Sequence, residues 1–519
     1  MLRSICVQNY RTFKEQFTLE IAPLTILLGA NSSGKSSVTR LPPLISQSLS
    51  ERTSAPILWV SDTIDFGSFR ENVHRHDLSG KISLTLGGEL TETANALMPF
   101  GITTWQNGEF SYTIDIAGED DSSRISRIKI QIYGEVVEMD ITHGWALSIK
   151  FKDKSYRELS KNMLVYVVEG LFPTPYYFTK DGDKYKAADR DVLKKDLIRI
   201  LRQYSHANTT DAALYKVFSY PRMGSVAQTF DWLKVRARQV PSLFKRFDQI
   251  TTAERERIWL NLFFSSLGSL MTSLQSSVAV DVSNGGYLAP IRAAAERYYR
   301  HREVAVGRID PDGGNLAMYL NSLYPYELQQ INDDLYKFFG HRVKVHRSEG
   351  HISLRITSSD EYEDNLADVG FGFSQLIPVI AQIHAASRSL GSSKVQQPDG
   401  ASAPIIAIEQ PELHLHPAFQ AQLGSYFVNA AQAGRGARKF RFLIETHSEP
   451  LVNEVARLVA LGQIRPEDVN IYLFERDGAT NTTKVERVHV REDGTLLNWP
   501  FGFFSSGKLN NMFGRGPTS

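Results

Sequence analysis

The run Gly29-Ala-Asn31-Ser32-Ser33-Gly34-Lys35-Ser36 has the G-x-x-x-x-G-K-[ST] spacing of a phosphate-binding loop. Glycines at its two ends let the backbone wrap closely enough for successive N–H groups to hold phosphate oxygens. That geometry places Gly29, Asn31, Ser32, Ser33, Gly34, Lys35, Ser36 and Ser37 around a nucleotide triphosphate, with Lys35 as a point charge and Ser36 as a magnesium ligand. ATP and Mg²⁺ are therefore the expected ligands.

Such a loop needs an acid on the magnesium side, delivered by a second buried strand. Pro404-Ile-Ile-Ala-Ile-Glu409-Gln410-Pro411-Glu412 supplies one: four apolar residues carry Glu409 to a strand end. Phe440-Arg-Phe-Leu-Ile-Glu445-Thr446-His447-Ser448 is another apolar strand that ends in polar residues. His447 there can bond a γ-phosphate oxygen or order the attacking water. Asp368-Val-Gly-Phe-Gly372-Phe-Ser374-Gln375 opens a helix with further N-terminal donors for phosphate. Glu445 is a further acid whose simpler role is to complement the start of the next helix.

The elements that must position these residues follow from periodicity. Short strands are expected around Leu2–Gln8 and Phe17–Ile21, then the apolar strand Leu24–Leu28 that stops at Gly29. Alternation between about Lys81 and Lys152 predicts an antiparallel β lobe. Helical spacing dominates from about Asp189, with Leu193, Leu197, Ile200 and Leu201 on one face. Gly391–Ala403 reads as a polar exposed loop. After it, strands and helices alternate as in a sheet covered by helices. The expected fold class is α/β: a P-loop ATPase head with a mixed sheet and flanking helices, an antiparallel β lobe and an inserted, mainly helical domain. The expected boundaries are 1–75 and 343–490 for the head, 76–185 for the lobe, 186–342 for the insertion and 491–519 for a tail.

The order of loop, long insertion, Gly-Ser-Gln helix start, acidic strand end and histidine strand end resembles the ABC-type ATPase heads of RecF-like, SMC-like and overcoming-lysogenization-defect (OLD) proteins. ICVQNYRTFKEQFTLEIAPLTILLGANSSGKSS is similar to their N-terminal signature; IIAIEQPELHLHP and LIETHSEPLV are similar to their Walker B and His-switch segments. YLAPIR and VHVREDGTLLNWPFGFF resemble a bacterial AAA-type subgroup that includes ATPase components of the Septu and retron antiphage systems. The resemblance implies that Glu409 holds the Walker B position and binds magnesium with Ser36. It makes His447 the switch histidine and places Gly372, Ser374 and Gln375 in the signature segment. It also implies that ATP is sandwiched between two copies, in a homodimer or higher oligomer.

One position departs from that pattern. The family's usual acidic pair is Asp-Glu, with the second residue activating water, whereas this chain has Glu409-Gln410, and an amide is no general base. Glu412 is the replacement candidate, and hydrolysis is expected to be slow or partner-stimulated. The implied function is a nucleotide-controlled dimerising switch working with a separate nuclease effector, in bacterial antiphage defence, since no nuclease constellation is visible in the chain. The alternative is a RecF-like ATPase that clamps DNA in repair or chromosome maintenance. A transporter subunit fits the loop chemistry but not the long insertion, and a kinase leaves the signature and histidine segments without a role.

Composition bounds the rest. With 519 residues, 42% hydrophobic, about three structural units are expected. Lys plus Arg number 58 against 57 Asp plus Glu, so no global field selects DNA or RNA, and any nucleic-acid surface must be local. Lys234, Arg236, Arg238, Lys245 and Arg246, with Trp232 and Phe244, form the densest basic stretch; Arg292, Arg297, Arg300, Arg302 and Arg308 form a second. A single cysteine, Cys6, excludes an internal disulfide and fits a reducing, cytoplasmic setting. The uncharged run Ile258–Val280 is interrupted by serines and reads as a buried helix, not a membrane span. His74, His76, His414 and His416 have i, i+2 spacing but no metal-site frame.

Overall fold

The structure, a computed structural model, describes every residue except 52, 54, 91–92, 99–100, 120–121, 153, 157–162, 169, 182–183, 188–190, 304, 359–361, 393–402, 433–439 and 500–519. The chain folds into two compact units, Met1–Leu19 with Leu44–Val280, and Glu20–Pro43 with Asp281–Ser519.

The first unit is built on the alternating segments. Eleven strands among the described residues form one sheet, with Lys81–Leu90, Gly108–Glu119, Ser122–Ile132, Glu135–Thr142 and Trp145–Phe151 pairing antiparallel in succession. The opening strand Leu2–Gln8 pairs antiparallel with Lys81–Leu90, setting Cys6 opposite Thr85. Helices follow, the longest being Thr252–Ser283. Three of its buried serine hydroxyls are satisfied within the helix: Ser265 donates to Asn261 O, Ser266 to Leu262 O and Ser273 to Ser269 O. Trp259 stacks on Phe151 at 5.1 Å and Phe263 meets Trp105 edge-on at 6.2 Å. Among the described residues, no helix is long and apolar enough to cross a membrane.

The second unit carries the parallel sheet. Its strand order is Tyr287–Leu288, Ile405–Glu409, Arg441–Glu445, Leu24–Gly29, Val469–Asp477, Thr482–Val490, Leu496–Leu497. The first five are parallel and the last two add antiparallel. All residues of the adjacent strands Ile405–Glu409, Arg441–Glu445 and Leu24–Gly29 are buried, in keeping with their mainly apolar runs. Helices Phe371–Ser392, Pro417–Gln432 and Glu449–Ala460 contribute to the same core through Leu376, Ile380, Leu423, Phe427, Leu451 and Val455.

The two units cut across the expected boundaries. Residues 1–19 and 44–75, expected in the head, lie with the β lobe, and the expected 186–342 insertion divides at Val280. The helical part joins the antiparallel sheet's unit, while Tyr287–Leu288 joins the parallel sheet. Periodicity identifies a strand but not which sheet receives it. Most of the expected Gly391–Ala403 loop and the Phe-rich end of the tail lie outside the described residues.

Candidate functional site

The loop begins where the Leu24–Gly29 strand ends. Gly29 has φ 151°, and a β-carbon there would stand 2.3 Å from Phe474 O, so the strand can bend away only with glycine. Gly34, at φ 99°, is the left-handed N-cap of the one-turn helix Lys35–Thr39. Lys35 is 3% exposed, and its Nζ donates back across the loop to Gly29 O (3.0 Å) and Ala30 O (2.7 Å). Burial pulls the Lys35 ammonium below its usual pKa, and Glu445, Glu412 and Glu409 act in the opposite sense. Arg476 Nη1 donates to Ser32 O (3.1 Å) and Thr483 Oγ1 to Ser33 O (2.8 Å), bracing the loop from the 469–490 hairpin.

Two acids end adjacent strands in register, Glu409 opposite Glu445, with Glu445 opposite Leu27 of the loop strand. Their surroundings differ. Glu409, 1% exposed, receives Arg40 Nε on Oε1 (2.6 Å) and Arg40 Nη2 on Oε2 (2.9 Å), a bidentate pair, plus the Tyr287 hydroxyl on Oε1 (2.7 Å). Arg292 Nη2 donates to its backbone carbonyl (3.0 Å). Glu445 accepts from Ser36 Oγ on Oε1 (3.0 Å) and Thr39 Oγ1 on Oε2 (3.3 Å), with Lys35 Nζ 3.9 Å away. Burial, then the nearby Glu409 charge, pushes the Glu445 carboxyl up to about 7.

The segment after Glu409 closes the site. Gln410, at φ 43°, donates its backbone N–H to Glu445 O (2.7 Å), tying the two strand ends together. Glu412 is buried, and its Oε1 accepts from the His447 N–H at 2.6 Å. Burial raises the Glu412 pKa, whereas burial and the Lys35 charge push His447 down to about 4, leaving a neutral ring at pH 7. Glu412 Oε2, His447 Nε2 and Ser33 Oγ are buried without a protein partner. Of these, the Ser33 hydroxyl and His447 Nε2, in the tautomer that carries the ring proton there, can donate to phosphate oxygens, and Glu412 Oε2 can accept from ordered water. The carboxylate and hydroxyl oxygens fit Mg²⁺, which takes one or two protein ligands and completes its shell with phosphate and water. Among the described residues, no group of three or more His, Cys, Asp or Glu could hold a metal ion.

The structure thus brings the loop, Glu409, Gln410, Glu412, Glu445 and His447 to one end of the sheet. The expected signature residues pack differently: Ser374 Oγ donates to Phe371 O (2.7 Å), Gln375 is buried, and a β-carbon on Gly372 would stand 3.3 Å from His414 O. His414, at φ 61°, meets Phe371 at 5.7 Å, and His416 Nδ1 accepts from Ala418 N–H (3.3 Å), so both shape this turn. His74 bonds Arg11 O and His76 bonds Arg70 O through Nδ1. Lys234 pairs with Asp248 at 2.7 Å, Arg236 donates to Lys216 O, and Arg238 lies over the Phe244 ring. Arg40, Tyr287 and the buried face of Arg292 were not legible as site residues. The available signals were Arg40 directly after the loop helix and the Tyr287–Arg292 segment already singled out.

A parallel sheet with a glycine-bounded loop at the end of a central strand defines a P-loop nucleotide-binding α/β unit. Residues 1–452 match the AAA ATPase domain family, and the chain belongs to it. Residues 464–505 match a second family, described as Protein of unknown function (DUF3696). Similar solved structures include the Smc head domain with an extended coiled coil bound to the C-terminal domain of ScpA from Pyrococcus furiosus, at 10% identity and TM-score 0.34, covering 94% of this chain and 96% of that one. The SMC head domain from Thermotoga maritima overlaps at 8% identity and TM-score 0.34, covering 94% and 99%. Overlaps this loose add nothing to the fold defined by the strand order above. No curated relative matches the chain.

Proposed function

We propose that the chain binds and hydrolyses ATP with Mg²⁺ and works as a nucleotide-controlled switch that pairs with a second copy of itself. The observation that carries this reading is the buried Lys35 ammonium held on two carbonyls of its own loop, at a site that also holds the unpartnered buried atoms Glu412 Oε2, His447 Nε2 and Ser33 Oγ. Gly29, Asn31, Ser32, Ser33, Gly34, Lys35, Ser36 and Ser37 cradle the phosphates, and Ser36 with an acid at the neighbouring strand ends forms the magnesium side. Bound Mg²⁺ spreads the negative charge of the phosphate oxygens. Neutral His447 offers Nε2 to a phosphate oxygen or water. Gln410 orients water without taking its proton, and Glu412, whose burial raises its proton affinity, serves as base in a slow reaction.

The Gly372–Gln375 segment of one copy completes the site of the other, a reading supported by Phe371, 60% exposed at that helix start. A separate nuclease effector and a role in antiphage defence rest on the family resemblance. Direct DNA clamping is the weaker reading, because Lys234, Arg236 and Arg238 are engaged within their own unit.

The test is equilibrium binding of Mg-ATP by calorimetry, with light scattering to follow association. Lys35→Ala is expected to weaken binding by roughly a hundredfold, about 2.7 kcal/mol, and to abolish ATP-dependent pairing. Unchanged affinity in that variant overturns the proposal. Phage plating on cells carrying the native locus, with wild-type or Lys35→Ala protein, tests the defence role; equal plating on both rejects it. Wild-type-like turnover in Glu412→Ala removes that residue as base.

A further inference from the structure

We infer that Glu445, not Glu409, is the acid that serves the magnesium ion beside Ser36, and that Glu409 is a positioning residue locked by Arg40 and Tyr287. The inference deepens the ATPase reading and rests on it.

The argument is one of available oxygens. A carboxylate ligates a hard cation through oxygen lone pairs not already committed to strong donors. Both oxygens of Glu409 are committed, in a bidentate pair with a fixed guanidinium, and Oε1 takes the Tyr287 hydroxyl as well. Releasing them for a cation would strand the Arg40 charge against a carboxylate it no longer owns, inside a site where Glu409 is 1% exposed. Such a pair is a support, and its backbone extends it: Arg292 holds the carbonyl of Glu409.

Glu445 presents the opposite arrangement. Its oxygens take hydrogen bonds from two neutral hydroxyls of the loop helix, Ser36 and Thr39. A serine that donates its proton to a carboxylate keeps both lone pairs for a cation. The Ser36–Glu445 pair therefore joins a hydroxyl ligand to its acid across a single hydrogen bond of 3.0 Å. Glu445 also lies on the strand directly beside the loop strand, opposite Leu27, whereas Glu409 is one strand further out. The unpartnered buried Ser33 Oγ and Glu412 Oε2 are independent signs that a polar ligand belongs here.

Mn²⁺ uptake in the presence of a non-hydrolysable ATP analogue, followed by electron paramagnetic resonance, separates the two acids without any turnover. Glu445→Gln is expected to weaken Mn²⁺ by roughly tenfold or more, while Glu409→Gln shifts it by less than about threefold and lowers the melting temperature instead. Because Glu409→Gln leaves Arg40 unmatched, the double variant Arg40→Met/Glu409→Met provides a second arm that removes both charges together, with the same small shift expected. A tenfold loss in either Glu409 variant, with Glu445→Gln unaffected or equally affected, overturns the inference and leaves the ATPase reading standing. A wild-type chain that takes up no Mn²⁺ with nucleotide overturns both.

Discussion

Glu409 and Glu445 stand opposite each other on neighbouring strands, yet one is sealed by a guanidinium and a phenol while the other leans on two loop hydroxyls. Register alone makes them equivalent. What separates them is the kind of partner: a guanidinium and a phenol hold Glu409, whereas Glu445 takes its hydrogen bonds from the neutral hydroxyls of Ser36 and Thr39 on the helix that follows the loop. The two strand ends thus differ in their partners, a difference that a motif read along the chain does not show.

The largest break in that contrast comes from Arg40→Ala, which leaves a buried carboxylate unpaired. It is expected to cost about 3 kcal/mol by denaturant unfolding, against about 1 kcal/mol for Ser36→Ala, which removes one neutral donor. Equal costs at the two ends would erase the distinction. Next in size, Gln410→Glu adds a fourth carboxylate to Glu409, Glu412 and Glu445. Steady-state ATPase assays should show turnover rising by roughly tenfold, because a carboxylate able to take the proton joins Glu412, and unchanged turnover would show that position 410 does not reach the attacking water. Tyr287→Phe keeps the ring and deletes one hydrogen bond to Glu409, an effect of about 1.5 kcal/mol in the same unfolding measurement, with Mn²⁺ uptake unaltered.

The smallest effect is a control away from both acids. His384 bonds Tyr319 and Gln330, with Glu327 and Arg388 nearby, and burial holds its pKa below the ordinary value. A histidine depressed in the fold gains its proton more readily when unfolded, so its share of stability is complete above about pH 6.5 and is lost as pH falls from there through its lower folded value. Melting curves of His384→Gln should lack this acid-side decline. A decline that persists unchanged assigns it to other groups.

Much of this site is legible in sequence because its parts are local. Gly29, Gly34, Lys35 and Ser36 are bound by the geometry of one turn, and the apolar runs before Glu409 and Glu445 announce buried strands. The partners of Glu409 are not local: Arg40 and Tyr287 come from segments with no spacing relation to Ile405–Glu409, joined only by the sheet and its flanking chain. Glu445 was visible as an acid before a helix, and that bland role hid its contact with Ser36. The same limit applies to the opening strand Leu2–Gln8, whose alternation fits either sheet and whose pairing with Lys81–Leu90 is decided by long-range packing. The ladder of serine back-bonds along Thr252–Ser283 follows more directly, since i to i−4 spacing is written in the chain.

The bracing of Ser32 and Ser33 by Arg476 and Thr483 has a practical consequence. Any shift of the loop's outer carbonyls must loosen a hairpin that lies beyond the stretch matching the AAA domain, and Arg476 is solvent-exposed. That hairpin is consequently a dial on the outside of the molecule: deuterium uptake at its amides reports the state of the loop whose carbonyls it holds.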